Sequence, residues 1–272
     1  MADPRRKERT RAGPRRGQPL LPSGAARRQR TAWAATDGRY IDARETGRDN
    51  LIELILEKVG TARPVERTPR TPEERALLLA TQPPGWEVLL FAATLLHGRE
   101  ALVLQYRDHE LGYVSPSGLA VEEDDAALVL SRHFNEAQTI LSNVERLLTP
   151  ENSERAFGPI GASGDADRII HLADRVIGVY RELLTWSARM RGAVVPSEYR
   201  RAFNLAARFV ASPIRQVHEF VDVVVAQGDR LPASIRRGEP SPVKLTLVLS
   251  LDEGIEDEFQ RELRRLLDKV DL

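Results

Sequence analysis

DADRIIHLADRVIGVYRELLTWSARMRG, residues 165–192, is the stretch that decides the fold. Ile169, Ala173, Val176, Tyr180, Leu183, Ser187 and Met190 recur at steps of three and four, which places them on one side of an α-helix. Ile170, Ile177 and Leu184 widen that stripe, so the helix meets more than one neighbour. Asp165 can cap its start, and Asp167 adds negative charge to the first turn, where the helix dipole favours it. Arg189 and Arg191 fall in the last turn, and Gly192 follows as the expected C′ residue. About 26 residues at 1.5 Å each give a rod of roughly 40 Å, long enough to be the spine of a domain. The stretch specifies architecture and carries no chemistry of its own.

Outward from the spine toward the C-terminus, Pro196 and Ser197 begin a second helical segment. Tyr199, Ala202, Phe203, Ala206 and Phe209 line its inner side, and Ser212–Pro213 either kinks or restarts it. Ile214, Val217, Val221 and Val224 keep the helical period as far as Leu231, and Pro232, Pro240 and Pro242 mark a linker. Beyond the linker, Val243, Leu245, Leu247, Leu249 and Leu251 alternate with Lys244, Thr246, Val248 and Ser250. That period of two predicts a β-strand. A last amphipathic helix follows, with Ile255, Phe259, Leu263, Leu266 and Leu267 on one face.

Toward the N-terminus, the loop from Glu151 to Gly164 leads back to Leu130, Phe134, Ala137, Leu141, Val144 and Leu148, a heptad stripe ending at Pro150. Tyr113–Val114 and Leu119–Val121, separated by Ser115-Pro116-Ser117-Gly118, predict a small β-hairpin. Leu89, Ala92, Leu96 and Val103 define another helix. Thr71, Pro72 and Glu74 have the spacing of a capping box with proline at the first helical position. Asn50 and Glu53 predict a further short helix ending at Gly60.

The expected fold is therefore mainly α: a multi-helix bundle with main helices over about 86–108, 124–148, 165–191 and 197–231. A small β-hairpin and a C-terminal strand–helix unit complete it. The expected organisation is a disordered basic tail over 1–48, a bundle domain over 49–232, and the strand–helix unit over 233–272 packed on the bundle.

Charge is informative by its distribution. The 272 residues hold 40 basic and 40 acidic side chains. Ten of the basic and two of the acidic residues lie in positions 1–30, leaving 30 against 38 in the rest, so a basic tail precedes an acidic body. There is no cysteine, which excludes disulfides, thiolate metal sites and thiol nucleophiles. The N-terminus lacks the apolar core of a secretory signal, and the run Val88–Leu96, interrupted by Thr94, is too short to span a bilayer. The expected location is cytoplasmic.

Candidate chemistry is sparse. His97, His133, His171 and His218 fall on four helices, with Glu100, Glu136 and Asp174 three residues after the first three. A bundle metal site would need all four to point inward. At about 100° per residue, His97 and His171 lie opposite their apolar stripes, so no metal site is assigned. Gly158 to Gly164 precedes a helix start but has no strand before it and no Lys after it, and Asp165 and Asp167 would repel a phosphate. No catalytic or cofactor-binding residue and no cofactor is assigned.

Two features point to partners. Arg5, Arg6, Lys7, Arg9, Arg11, Arg15, Arg16, Arg27, Arg28 and Arg30 form a candidate polyanion-binding arm, which would bind nucleic acid through counterion release. The segment carrying Val243, Leu245, Thr246, Leu247, Leu249 and Leu251 is a candidate interaction strand, since nothing else in the chain predicts a strand long enough to pair with it. Its open edge would take a second copy or an extended peptide; a sheet closed within the chain is the alternative. The leading functional expectation is a non-enzymatic interaction or regulatory protein, self-associating through this segment, with a protein partner or homo-oligomer. A nucleic-acid-associated protein anchored by its tail is the alternative, and a helical-bundle enzyme with a site assembled from distant residues is the third reading.

Overall fold

The computed structural model describes residues 65–159, 162–239 and 245–270, together with Trp33–Ala34 and Tyr40–Ile41. The chain divides into two units, Met1–Leu51 and Ile52–Leu272. In the first, β1 (Trp33–Ala34) and β2 (Tyr40–Ile41) form a two-residue antiparallel ladder, with Trp33 opposite Ile41. The helix expected after Asn50 lies outside the described residues.

The second unit is built from helices. They are α1 (Pro72–Thr81), α2 (Trp86–Glu100), α3 (Val103–Glu110), α4 (Ala126–Glu145), α5 (Pro150–Phe157), α6 (Ala166–Arg191), α7 (Arg200–Phe209), α8 (Ala211–Arg236) and α9 (Glu253–Val270). The spine α6 touches α2, α3, α4, α5, α7 and α8, and its buried residues include Ile169, Ala173, Val176, Tyr180, Leu183, Ser187 and Met190. Asp165 caps it by accepting the Arg168 N–H at 3.1 Å. Helix α2 lies between α6 and α8, and residues Leu89 to Leu96 are buried on every side, as a helix apolar all round must be. Phe134 of α4 stacks on Phe259 of α9 at 5.1 Å and meets Phe209 of α7 at 4.9 Å, which seats the last helix on the core. Thr71 and Glu74 make the reciprocal cap of α1.

Several boundaries differ from expectation for local reasons. The helix expected over 86–108 breaks at Ala101–Leu102 into α2 and α3. The one expected over 197–231 divides at Val210, with Pro213 in the first turn of α8, where its missing N–H is harmless. Helix α8 continues through Pro232 to Arg236, and Leu231 and Ile235 of this last stretch pack close to Gly85, whose bare Cα (φ +82°) leaves them room. Within the expected 151–164 loop, Thr149 and Pro150 open the short helix α5, with the Thr149 hydroxyl accepting the Asn152 N–H at 3.3 Å.

Neither expected β element forms. Residues 113–121 do not fold back on themselves. Ser117 N–H donates to Gly192 O at 3.1 Å, Val121 N–H to Val194 O at 2.9 Å, and Val194 N–H to Leu119 O at 2.8 Å, leaving one isolated parallel bridge, Ala120–Val194. Gly192 explains the choice. Its φ of −83° needs no glycine, but a Cβ there would lie 2.1 Å from the Ser115 carbonyl oxygen, so a bare residue is what lets the loop reach this backbone.

Residues 245–251 are neither helix nor strand, their alternate burial is that of a chain drawn out along the core, and no strand among the described residues lies beside them. Leu245, Leu247, Leu249 and Leu251 are half-buried against the helical core while Thr246, Val248 and Ser250 are exposed. The alternation in the sequence reports one-sided burial, which an extended chain lying on helices shares with a true strand. No helix among the described residues is long and apolar enough to cross a membrane.

Candidate functional site

The extended segment is held at one point. Gln216 of α8 accepts the Ser250 N–H at 2.8 Å, and its Nε2 donates to Ser250 Oγ at 2.6 Å and to Ser212 Oγ at 3.2 Å. Ser250 N–H is the single main-chain group of residues 245–251 with a hydrogen-bond partner among the described residues. In an extended chain, successive residues turn their N–H and C=O to opposite edges. Extended geometry would turn Thr246, Val248 and Ser250 to the edge next to Gln216 and Leu245, Leu247, Leu249 and Leu251 to the other, whose main-chain groups have no hydrogen-bond partner among the described residues. Val248, midway along, is 70% exposed, a large apolar side chain with nothing over it. Of the expected interaction residues, Leu245, Thr246, Leu247, Leu249 and Leu251 thus share one extended segment; Val243 lies outside the described residues, as do all ten arginines and lysines of the candidate polyanion-binding arm.

Titratable groups gather elsewhere, along α3, α6 and α8. His218 stacks on Tyr106 with ring centroids 4.0 Å apart, and its Nδ1 lies 3.0 Å from the Tyr180 hydroxyl. Burial, helped by the Arg99 charge, holds the His218 imidazole below its ordinary range, so neutral Nδ1 accepts from Tyr180. Burial and a hydrogen bond with Glu110 push the Tyr106 hydroxyl up to about 12, and burial also raises Tyr180. Arg99, paired with Asp222, closes the end of this group. His133 pairs with Glu136 at 2.8 Å, one helical turn away, and Glu136 also receives Arg189 at 3.1 Å. His97 and His171 are exposed. No group of three or more potential ligands for a metal ion forms among the described residues.

His109 was not singled out by sequence, since it follows no apolar stripe, yet it sits in a close polar contact with α6. Its Nδ1 lies 2.9 Å from Arg191 Nη2 and 3.2 Å from Ser187 Oγ, and its carbonyl accepts from Arg191 Nη1 at 2.9 Å. Arginine only donates, so Nδ1 is the acceptor and the ring proton is on Nε2. Burial first, then the Arg191 charge, lowers the imidazole to about 4. A Ser–His contact invites comparison with a nucleophile and its base. The geometry does not serve that chemistry. Ser187 is fully buried, its proton is given to Ala207 O at 3.0 Å, and the His109 lone pair is already engaged by Arg191. These groups tie α3 to α6.

No family model matches the chain, and no curated protein or solved structure matches it either.

Proposed function

We propose that the protein is a non-enzymatic interaction protein that assembles with a second copy of itself along residues 245–251. The observation that carries this reading is a segment seated on the core by alternate leucines, with no main-chain partner on its outer side among the described residues and Val248 exposed at its centre. The segment is also close to a palindrome. Leu-Thr-Leu-Val-Leu-Ser-Leu reads almost the same in either direction about Val248, with Thr246 and Ser250 equivalent. An antiparallel pair of copies related by a two-fold axis at Val248 would set like against like, which is what an isologous contact requires.

The register follows from the edge geometry. Leu247 of one copy faces Leu249 of the other, and Leu245 faces Leu251, as hydrogen-bonded pairs across the open edges. Val248 faces Val248 as a non-hydrogen-bonded pair, where side chains approach most closely. Pairing would satisfy main-chain groups now left to solvent and cover the exposed valine. The leucines keep their places on the helices, so no refolding is needed.

Light scattering over a concentration series tests this. The parent should rise from the 30.5 kDa of one chain toward twice that mass. Val248→Asp, at an exposed position, should remain monomeric because two carboxylates would oppose each other at the axis. Mixing it with Val248→Lys should restore the doubled mass. A parent that is monomeric throughout the series, or a Val248→Asp variant that assembles like the parent, contradicts the proposal.

A further inference from the structure

Where α4 ends and α5 and α6 begin, Leu147, Ala156 and Leu172 form the floor of a cavity of about 240 Å³. Three arginines, a histidine and an asparagine stand around a lining that is mainly apolar. Asn152 and Arg155 come from α5, and Arg168, His171 and Arg175 from α6. The positions explain the convergence: 168, 171, 172 and 175 lie on one face of α6, and 152, 155 and 156 on one face of α5. Among the described residues no carboxylate lines the cavity, although Asp165, Asp167 and Asp174 stand on the same stretch of chain.

The partners of these cations are few. Arg168 reaches Asp165 at 3.4 Å and donates to the Arg155 carbonyl at 3.4 Å. Arg155 and Arg175 make no ion pair and no side-chain hydrogen bond among the described residues. Glu151, one turn before Arg155, is held below the usual carboxylate range first by its own backbone amide and then by the Thr149 hydroxyl, with Arg155 a lesser influence. Its carboxylate is committed to the start of α5. Arginine stems often lie over apolar surface with their heads in water, and such a role needs no ligand. It does not explain why three guanidinium groups line one concavity when the only carboxylate paired to any of them among the described residues is Asp165, on Arg168, which leaves Arg155 and Arg175 to carry the anion.

We propose that this cavity is an oxyanion site that takes a phosphoryl group, either as free phosphate or as the head of a small phosphomonoester. Guanidinium forks suit tetrahedral oxyanions because they donate paired N–H bonds as well as charge. Asn152, whose Nδ2 already donates to the Arg146 carbonyl at 2.7 Å, has one amide N–H left for the anion, and the apolar floor gives a phosphomonoester somewhere to lay a few carbon atoms. The volume is below the roughly 300 Å³ at which pockets for drug-sized ligands begin, which points to a small ligand. The proposal is independent of self-assembly, because it uses neither residues 245–251 nor α9.

Thermal melting and titration calorimetry of the full-length protein, with inorganic phosphate and with glycerol 3-phosphate, test it against sodium chloride at matched ionic strength. Phosphate should raise the melting temperature where chloride does not. Arg155→Gln and Arg175→Gln should each weaken binding by about tenfold or more, as expected for loss of a charge-assisted hydrogen bond. Arg155→Lys should retain part of the affinity. Arg215→Gln, at an exposed α8 arginine away from the cavity, should leave binding unchanged. Tighter binding of glycerol 3-phosphate would identify a phosphomonoester as the ligand, and equal or weaker binding would identify free phosphate. If phosphate acts no differently from chloride, or binds the two glutamine variants as tightly as the parent, the proposal is overturned. The second result would place the anion on other arginines of the chain.

Discussion

At the scale of single residues, His109 gives the protein a specific acid sensitivity. Its imidazole titrates at about 4 in the folded chain against 6.5 when unperturbed. Between those values the unfolded chain holds a proton that the folded chain does not, so the unfolded state gains on acidification. The stability that neutral His109 contributes is complete above about pH 6.5 and is lost as pH falls toward 4. Allowing for its partial exposure, the loss is on the order of 1–2 kcal/mol. Urea midpoints measured from pH 7 to 4 should fall, and His109→Gln should flatten much of that slope; an unchanged slope in the variant would contradict the assignment. Glycine gives a paired expectation. Gly192→Ala would drive a Cβ into the backbone of Ser115 and Ser117 and should cost about 1–3 kcal/mol. Gly178→Ala, inside α6 with nothing within 4 Å, should stabilise by about 0.5–1 kcal/mol. Urea midpoints that move in the same direction for both would refute this account of the two glycines.

At the scale of elements, what could be read from sequence was whatever depends on neighbours along the chain. The cap of α1 at Thr71 and Glu74, the cap of α6 at Asp165 and the apolar stripe from Ile169 to Met190 are local patterns, and each appears where its residues require. What depends on a distant partner was not legible. Residues 113–121 carry turn residues between apolar pairs, but their hydrogen bonds go to Gly192 and Val194, some 75 positions away, because a bare glycine allows the approach. Pro150 ends one helical pattern and also begins α5, and only the second role required knowing that the chain turns back toward α6. The leucines of 245–251 have the period of a strand, and the identity of what lies beside them cannot be read from that period. His109 escaped notice for the same reason: Arg191 and Ser187, which define its environment, are 82 and 78 residues away.

At the scale of the whole molecule, the helices around α6 form a scaffold that carries both proposed binding surfaces, residues 245–251 and the basic cavity beside α5. The central claim concerns the first, that two copies meet about Val248. The chain contains no cysteine, so Val248→Cys introduces a single thiol. In the proposed register the two Val248 Cα atoms lie about 4.5 Å apart, within the range of about 4.4–6.8 Å that a disulfide spans. Thr246 is the matched control, because it faces Ser250 of the other copy and its own equivalent is displaced by about 13 Å along the strand direction. The direct measurement is the yield of disulfide-linked dimer under mild oxidation, read by non-reducing electrophoresis. The account predicts near-complete cross-linking of Val248→Cys and little of Thr246→Cys; equal yields for the two, or a Val248→Cys protein that stays a free-thiol monomer, would contradict it.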